Sequence, residues 1–267
     1  IHLFQDGYVV LTRNGISICG ADGNVYSTHV LQYNQPCITV CGNYILCFDR
    51  GSTKWHLLNS FRVLCSGTSA GDIINGAVTE DGYFAICSER TDYKGSVTVY
   101  NTEGTELSRW NSVTYLIDAF FTEKSCLTVV SLSSDREKTH TVFTQFNYKK
   151  AEAESSVTAT DTFPLALSLK DGGSVEMLTA SGAMVFDGET VTAVHSYSQP
   201  SPGLYRQGEY ATMISYQTLN GTVMVESFRE DGSVLFSAEY PSVVSLGCSE
   251  RYFFVLTEQS LHILDSS

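Results

Sequence analysis

The segment with the clearest catalytic spacing is 67–71, whose sequence GTSAG fits the G-x-S-x-G pattern of a nucleophilic serine. That chemistry needs a strand, a sharp turn and then a helix, so that the serine is exposed beside an oxyanion hole. Here the segment follows one apolar strand and precedes another, DIINGAVT, with no helical period and no evident His and acid partners. We interpret Ser69 as a loop residue and predict no catalytic residue in the chain.

Metal binding would require His, Cys or carboxylate side chains at ligand spacing, and the six histidines lie in different parts of the chain. The nearest approach to such a spacing is Cys37-x-x-x-Cys41. On a regular strand these two thiols lie about 13 Å apart, which is too far for one zinc ion. No glycine-rich loop opens a helix to hold a phosphate group either. We therefore predict no metal and no cofactor.

The charge balance restricts the partners. There are 16 Lys and Arg against 29 Asp and Glu, giving a net charge of -13. An acidic surface repels phosphate backbones and anionic lipid headgroups, so we predict no nucleic-acid binding. No apolar run approaches the ~20 residues needed to cross a bilayer, so the visible chain is not predicted to insert into a membrane.

An internal repeat sets the expected fold. A short turn followed by an apolar, aromatic strand occurs seven times, for example before YVVLT, YILCF, YFAIC and YFFVL, at intervals of 35 to 48 residues. This is the period of a four-stranded propeller blade, and sustained helical periodicity is absent. We predict one all-β domain, a seven-bladed β-propeller of four-stranded antiparallel blades, with six or eight blades as alternatives. The predicted blades are 1–34, 35–70, 71–114, 115–160, 161–200, 201–241 and 242–267, the last lacking its fourth strand.

Turn chemistry agrees with this period. If the strands of a blade are called A to D, B–C turns fall at pairs such as Ser181-Gly182 and Asn220-Gly221. Such pairs favour the positive φ angles of tight hairpins. The predicted C–D turns also contain a glycine, at Asp22-Gly23, Glu103-Gly104, Asp187-Gly188 and Asp231-Gly232.

The units SVTVYNTEGTELSRW, VMVESFREDGSVLFSAEY and ISICGADGNVYSTHV resemble the bacterial propeller superfamily that includes quinoprotein-like and WD-repeat-like proteins. The chain has no Trp-Asp strand ending, and its two tryptophans cannot supply the recurrent docking of quinone-dependent dehydrogenases. In its overall sequence pattern, the chain resembles uncharacterised propeller domains of Gram-positive bacteria. Those domains lie outside the cell behind an N-terminal membrane anchor. The resemblance implies an extracytoplasmic location, and a cytoplasmic one is the alternative.

The eight cysteines lie mostly in apolar stretches such as ITVCG and YFAICS, at spacings unlike those of a disulfide framework. We expect buried thiols rather than bridges.

Loop length points to one face of the predicted propeller. The longest insertions are the B–C loops 88–95 and 133–140, and the D–A linkers 66–72 and 198–203 open on the same face. Long polar loops on a rigid scaffold are where binding residues concentrate. The candidate ligand- or partner-binding residues are Asp72, Arg90, Asp92, Tyr93, Asp135, Arg136, Glu137 and His140.

Three functions fit these observations. The leading hypothesis is a non-enzymatic propeller whose loop-rich face binds a protein or a cell-envelope ligand. A second is an enzyme acting on a glycan or small molecule at the central channel mouth, suggested by Asp72 and Asp118 beside predicted inner strands. A third is a structural scaffold. An exposed apolar patch rimmed by the loops would favour the first, and clustered carboxylates with shifted pKa values would favour the second.

Overall fold

The computed structural model describes residues 1–123, 125–197, 202–208, 210–249 and 251–265. Its contacts divide the chain into two compact units. The first unit comprises 1–137 and 142–156, and the second comprises 138–141 and 157–267.

The described residues form 27 strands in seven antiparallel sheets, and each sheet takes its strands in chain order. We call the sheets blades 1 to 7 and the strands of each blade A to D. Blades 1 to 4 contain β1 (His2–Phe4), β2 (Gly7–Thr12), β3 (Gly15–Gly20), β4 (Val25–Val30), β5 (Pro36–Cys41), β6 (Tyr44–Asp49), β7 (Lys54–Leu58), β8 (Val63–Thr68), β9 (Ile73–Val78), β10 (Phe84–Ser88), β11 (Gly95–Tyr100), β12 (Glu106–Ser112), β13 (Tyr115–Glu123), β14 (Cys126–Ser134), β15 (Thr139–Asn147) and β16 (Glu152–Ala159). Blades 5 to 7 contain β17 (Ala166–Leu169), β18 (Val175–Leu178), β19 (Gly182–Phe186), β20 (Val191–Ser196), β21 (Leu204–Gln207), β22 (Thr212–Gln217), β23 (Val223–Phe228), β24 (Val234–Tyr240), β25 (Ser245–Cys248), β26 (Tyr252–Leu256) and β27 (Leu261–Asp265).

The predicted fold class, an all-β seven-bladed propeller, is confirmed. Blades 1 to 6 have four strands, and blade 7 has three strands among the described residues. Each sheet lies within one of the seven ranges marked by the sequence repeat. Lys124, Glu209 and Glu250, at three of the repeat turns, lie outside the described residues, as do positions 198–201 of one predicted linker.

In the first unit, the two faces of each central sheet pack against different neighbours. Successive strand residues point to opposite faces. In blade 3, one set faces blade 4 and contains Ala85, Cys87, Val97 and Val99. The alternate set faces blade 2 and contains Phe84, Ile86 and Tyr100, with the Phe84 and Tyr100 rings stacked at 5.0 Å. Strands β10 and β11 are therefore buried along their whole length rather than at every second residue.

The second unit repeats this arrangement. Leu178 and Ala183 of blade 5 pack with Ile214 and Phe228 of blade 6. The other face of blade 6, with Met213 and Val225, packs against Phe253 and Val255 of blade 7. Alternate residues of one strand, such as Met213 and Ile214, thus belong to two different cores.

The predicted C–D turns are confirmed, because their glycines all have left-handed backbones, at Gly23 (φ 82°), Gly104 (φ 79°), Gly188 (φ 104°) and Gly232 (φ 81°). Among the B–C turns, Gly221 is also left-handed (φ 82°). The turn at Ser181-Gly182 also lies between strands B and C as predicted, but its expected positive φ is wrong, because Gly182 is the first residue of β19 and is not left-handed. The Thr179 hydroxyl closes that turn by accepting the N–H groups of Ser181 and Gly182, at 3.3 and 3.1 Å, so no left-handed glycine is needed.

All eight cysteines are thiols. Cys19, Cys47 and Cys87 are buried, as expected, and the other five are partly exposed. Cys37 and Cys41 lie on β5 and pack against the core between blades 2 and 3.

A buried ion pair of blade 5 is hydrogen-bonded to blade 6. The Lys170 ammonium lies 3.1 Å from Glu176 Oε2, and both side chains are almost fully buried. Lys170 also donates to the Gly208 carbonyl oxygen and to Thr212 Oγ1, while Gln207 donates to Glu176 Oε2 at 2.8 Å. The net contribution of such a pair to the free energy of unfolding is small. Removing one partner costs more than that contribution, since the remaining charge would be buried alone.

Gly232 and Gly221 form a matched pair for testing the packing of the turns. Both have φ near 80°, but an added Cβ would overlap the Val194 carbonyl oxygen at Gly232 and would meet open space at Gly221. We expect Gly221→Ala to lower the free energy of unfolding by about 1 kcal/mol, from backbone strain alone. We expect Gly232→Ala to lower it by roughly 3 kcal/mol, because overpacking is added to the strain. Equal losses in urea denaturation would contradict this account of the blade 5–blade 6 contact.

The ion pair generates a second prediction. Lys170→Met should lower the free energy of unfolding by roughly 3–5 kcal/mol, because Glu176 loses its counter-charge in a dry environment. The double variant Lys170→Met, Glu176→Leu should recover much of that loss. The measurement is a double-mutant cycle by chemical denaturation, and additive effects of the two substitutions would refute the pairing.

Candidate functional site

The B–C turns and D–A linkers of a blade lie at one edge of its sheet, because strand A begins where strand B ends. In the second unit this is shown by three contacts, from the N–H groups of Leu165, Gly203 and Val244 to the carbonyl oxygens at the ends of their B strands, at 2.6–2.8 Å. We call this the loop edge. The opposite edge carries the A–B and C–D turns, and we call it the turn edge.

In blade 3, the structure brings four of the predicted site residues to the loop edge. The Glu89 N–H donates to the Asp72 carbonyl oxygen at 2.9 Å, which joins the linker to the B–C loop. Within that loop the Tyr93 N–H donates to the Arg90 carbonyl oxygen. Asp72, Asp92 and Tyr93 are exposed, and Arg90 is half-buried. Their role in binding stays a prediction.

The other four predicted residues lie in the long B–C loop of blade 4. Asp135, Arg136 and Glu137 are exposed and belong to the first unit, where Asp135 Oδ1 accepts the Glu137 N–H at 3.1 Å. His140 belongs to the second unit, and its Nδ1 accepts the Asp161 N–H at 3.3 Å. Through this contact His140 lies beside the apolar surface described below.

Ser69 has no arrangement suited to nucleophilic attack. It follows strand β8, and its hydroxyl donates to the carbonyl oxygens of Thr53 and Gly71. No helix follows it in the described chain. The hydroxyl closes the linker between blades 2 and 3, in agreement with the loop interpretation.

The loop edge of the second unit exposes large apolar side chains that the sequence reasoning missed. Five of them contribute to this edge in blades 5 to 7: Phe163 (56% exposed), Leu165 (41%), Tyr205 (44%), Leu219 (93%) and Val244 (53%). The Tyr205 hydroxyl donates to the Leu165 carbonyl oxygen at 3.2 Å, which connects blades 5 and 6. A signal was present in the sequence, because Phe163-Pro164-Leu165 and Leu219 place apolar residues in turns where polar ones are usual.

A cavity of about 410 Å³ opens beside Phe163 and Leu165. One wall is the B–C turn from Thr179 to Gly182, and His195 lines another. The imidazole of His195 stacks on Phe228 at 4.2 Å, and its Nε2 lies 3.3 Å from Glu226 Oε2. These contacts fix the ring, so the cavity has a rigid base.

The rim of this cavity is charged. Lys138 Nζ forms an ion pair with Asp161 Oδ2 at 2.9 Å, and His140 contacts the Asp161 backbone. Asp161 has a left-handed backbone (φ 58°), which is uncommon for a residue other than glycine. An apolar centre with a polar rim can hold an apolar side chain of a ligand and orient its polar groups.

A separate feature lies on the inner strands of the first unit. Asp118, on β13, is held by the Ala119 N–H at 2.8 Å and by the Asn75 side chain. Burial raises the pKa of Asp118 to about 7, although these hydrogen bonds and the Arg50 charge oppose that rise. The Arg50 side chain is exposed, with its Nε donating to the Ile74 carbonyl oxygen at 3.1 Å. Asp118 is thus a carboxyl group that would exchange a proton near neutral pH.

The described residues contain no group of three or more His, Cys, Asp or Glu side chains arranged to hold a metal ion. They also contain no helix long and apolar enough to span a membrane.

The fold is shared with many solved propellers at low sequence identity. The β-propeller domain of Cps50 (Swd1) from Myceliophteria thermophila aligns with a TM-score of 0.61 and 12% identity, covering 98% of this chain and 97% of that one. For the C-terminal WD40 domain of Sif2 the TM-score is 0.60, with 10% identity and coverage of 95% and 76%. For BamB from Moraxella catarrhalis it is 0.51, with 8% identity and coverage of 98% and 94%. These likenesses confirm the resemblance to WD-repeat-like propellers and show the fold alone.

Comparison with curated proteins finds no match to this sequence. A protein-family model does match, over residues 1–265. Because that match covers almost the whole chain, the protein belongs to the family of unknown function DUF5711.

Proposed function

We propose that this protein is a non-enzymatic binding propeller that holds a protein partner on the loop edge of its second unit. The observation that supports this is the set of exposed apolar side chains at this edge, of which Phe163 and Leu165 line a cavity. Large apolar residues exposed together at one edge, with a polar rim, are typical of protein interaction sites.

The free energy gained by burying apolar side chains favours a protein as the partner. Burying an exposed aromatic or leucine side chain stabilises a complex by roughly 1.5–3 kcal/mol. A few such anchors usually supply most of the binding energy of an interface. Phe163 is the central anchor of the proposal, because it stands 56% exposed at the mouth of a cavity with a rigid base.

The charged rim would set orientation rather than affinity. Lys138 and Asp161 are paired with each other and about half exposed, so water screens them and they add little binding energy. A net charge of -13 gives the whole protein a negative field, which would speed association with a basic partner. We therefore propose a partner that inserts apolar side chains and carries basic residues at its periphery.

The extracytoplasmic location implied by the resemblance is part of this proposal. A protein exposed outside the cell would be digested when intact cells are treated with protease. Its persistence until the cells are lysed would favour the cytoplasmic alternative.

The partner site is tested by substitution of its anchor. Phe163→Ser should reduce recovery of a cross-linked protein partner roughly tenfold or more, because a hot-spot aromatic is lost. Val234→Ser is the matched control, since Val234 is 53% exposed in the same unit but lies near the turn edge. Recovery is measured by quantitative mass spectrometry after cross-linking in the native cells. Equal recovery with the wild type and both variants would refute the assignment.

A second candidate function rests on Asp118. A carboxyl group whose pKa lies near the working pH is suited to general acid–base catalysis. With Arg50 and Asn75 near it, Asp118 could transfer a proton to or from a bound polar substrate. This is the enzyme alternative, and its first requirement is that Asp118 titrates near neutrality.

The titration of Asp118 predicts how stability depends on pH. Folded Asp118 stays protonated up to about pH 7, whereas an unfolded aspartate ionises near pH 4. Folding therefore takes up a proton between these values, and the free energy of unfolding falls as pH rises from about 4 to 7. The variant Asp118→Asn lacks this dependence, so its stability relative to the wild type should increase from pH 5 to pH 8.

Asp187→Asn is the control, because the pKa of Asp187 is shifted in the opposite direction to that of Asp118. The N–H groups of Thr190 and Glu189 hold the pKa of Asp187 below its usual value, so ionised Asp187 contributes stability at all pH values above about 4. Its replacement should lower stability by the same amount from pH 5 to 8. Denaturation curves are compared across this range. Parallel curves for Asp118→Asn and the wild type would remove the basis of the enzyme alternative.

A further inference from the structure

A second cavity lies at the turn edge of the first unit and shares no lining residue with the proposed partner site. It has a volume of about 450 Å³, within the range of small-molecule sites, and is formed by turns of blades 1 and 2. Two of its lining residues are exposed aromatics, Tyr26 (70%) and Phe61 (84%). Gln5, Asp6, Ser27 and Ser60 add polar groups to the same lining.

Gln5 occupies a position where the neighbouring blade has glycine. The A–B turns of blades 1 and 2 have the same length, because Phe4 pairs with Gly7 and Cys41 pairs with Tyr44. The first turn residue is left-handed in both, with φ 51° at Gln5 and φ 53° at Gly42. Glycine adopts this conformation without strain and glutamine does not. The glutamine is therefore present for its side chain rather than for the turn.

The Gln5 amide is held at the cavity wall. Its Nε2 donates to Asn43 Oδ1 at 2.6 Å, and its Oε1 accepts the Ser60 hydroxyl at 3.2 Å. An amide has two N–H donors and two acceptor lone pairs, so one donor and one acceptor site remain for a ligand. A planar amide fixed in this way offers a ligand one N–H donor and one acceptor lone pair, and sugar hydroxyl groups can bind to both.

The two aromatic rings are also positioned by the backbone. The Tyr26 ring lies directly over Gly20, where any Cβ would overlap its phenol. Phe61 is held outward by a turn in which Asn59 Oδ1 accepts the N–H groups of Phe61 and Arg62, both at 3.0 Å. Aromatic faces bind apolar C–H surfaces, and these two line the same cavity as the polar groups.

We propose that this cavity binds a neutral saccharide. A pyranose ring has an apolar C–H face for Tyr26 or Phe61 and vicinal hydroxyl groups for Gln5, Asp6 and Ser60. An anionic sugar is disfavoured, because Asp6 lines the cavity and the Asp22 carboxylate lies close to Gly20, another lining residue. This site is independent of the protein-binding function proposed above, since it is formed by other residues, all of them in the first unit.

The test uses the whole chain and three neutral trisaccharides, maltotriose, cellotriose and triacetylchitotriose. Binding is measured by saturation-transfer NMR and calorimetry at millimolar concentrations. At least one saccharide should bind the wild type, and Gln5→Gly and Phe61→Ala should each weaken that binding roughly tenfold or more. Gln5→Gly is informative because glycine suits the turn, so the variant should keep the thermal midpoint of the wild type.

Tyr115→Ala is the matched control, since it removes a 58% exposed aromatic at the start of β13, on the loop edge of the same unit, and should leave saccharide binding unchanged. The proposal is overturned if none of the three sugars binds, or if Gln5→Gly and Phe61→Ala bind as the wild type does. It is also overturned if Tyr115→Ala causes the same loss, which would indicate non-specific contact. A fall in the midpoint of Gln5→Gly with unchanged binding would assign Gln5 to holding blades 1 and 2 together.

Discussion

Each central sheet of this protein has two apolar faces, and both must be covered by a neighbouring sheet. Blade 3 shows the consequence most clearly, because Ala85 and Cys87 face blade 4 while Phe84 and Ile86 face blade 2. A single isolated blade would leave both of these surfaces in water. Burial between sheets is therefore what makes the four-stranded repeat stable, and hydrogen bonding within a sheet only fixes which residues face which neighbour.

This constraint leaves the two edges of the sheets available for function. Residues in the middle of the B and C strands are committed to packing, whereas the turns meet water and can change their side chains with little effect on the cores. The two sites proposed above both lie at edges. They differ in chemistry: the loop edge around Phe163 presents apolar anchors with a paired Lys138–Asp161 rim, and the turn edge at Gln5 presents an oriented amide with two aromatic rings. Asp118 is the exception, because it lies on an inner strand.

The sequence predicted the fold well because the repeat consists of turns and apolar strands. Both depend mainly on residues that are close together in the sequence. The left-handed glycines of the C–D turns follow from the same local rules. The backbone of Gly182 was mispredicted because a hydroxyl three residues earlier closes the turn instead. Of the candidate partner site around Phe163, only His140 was among the residues that the sequence predicted. Asp72, Arg90 and Tyr93 share the loop edge of blade 3, but the exposure of Phe163 and the shifted pKa of Asp118 depend on neighbours distant in sequence. Gln5 looked like any turn residue until its φ angle could be compared with that of Gly42.

The division of each strand between two cores also bears on how such sequences diverge. A substitution at Met213 alters the layer shared with blade 7, while one at the adjacent Ile214 alters the layer shared with blade 5. Each layer needs only a matching volume and an apolar character, so compensating changes can accumulate in one layer while the next is unaffected. Mutational drift can then erase sequence identity layer by layer without disturbing the chain path. Propellers that superpose over nearly the whole chain at about 10% identity are the expected product of that history.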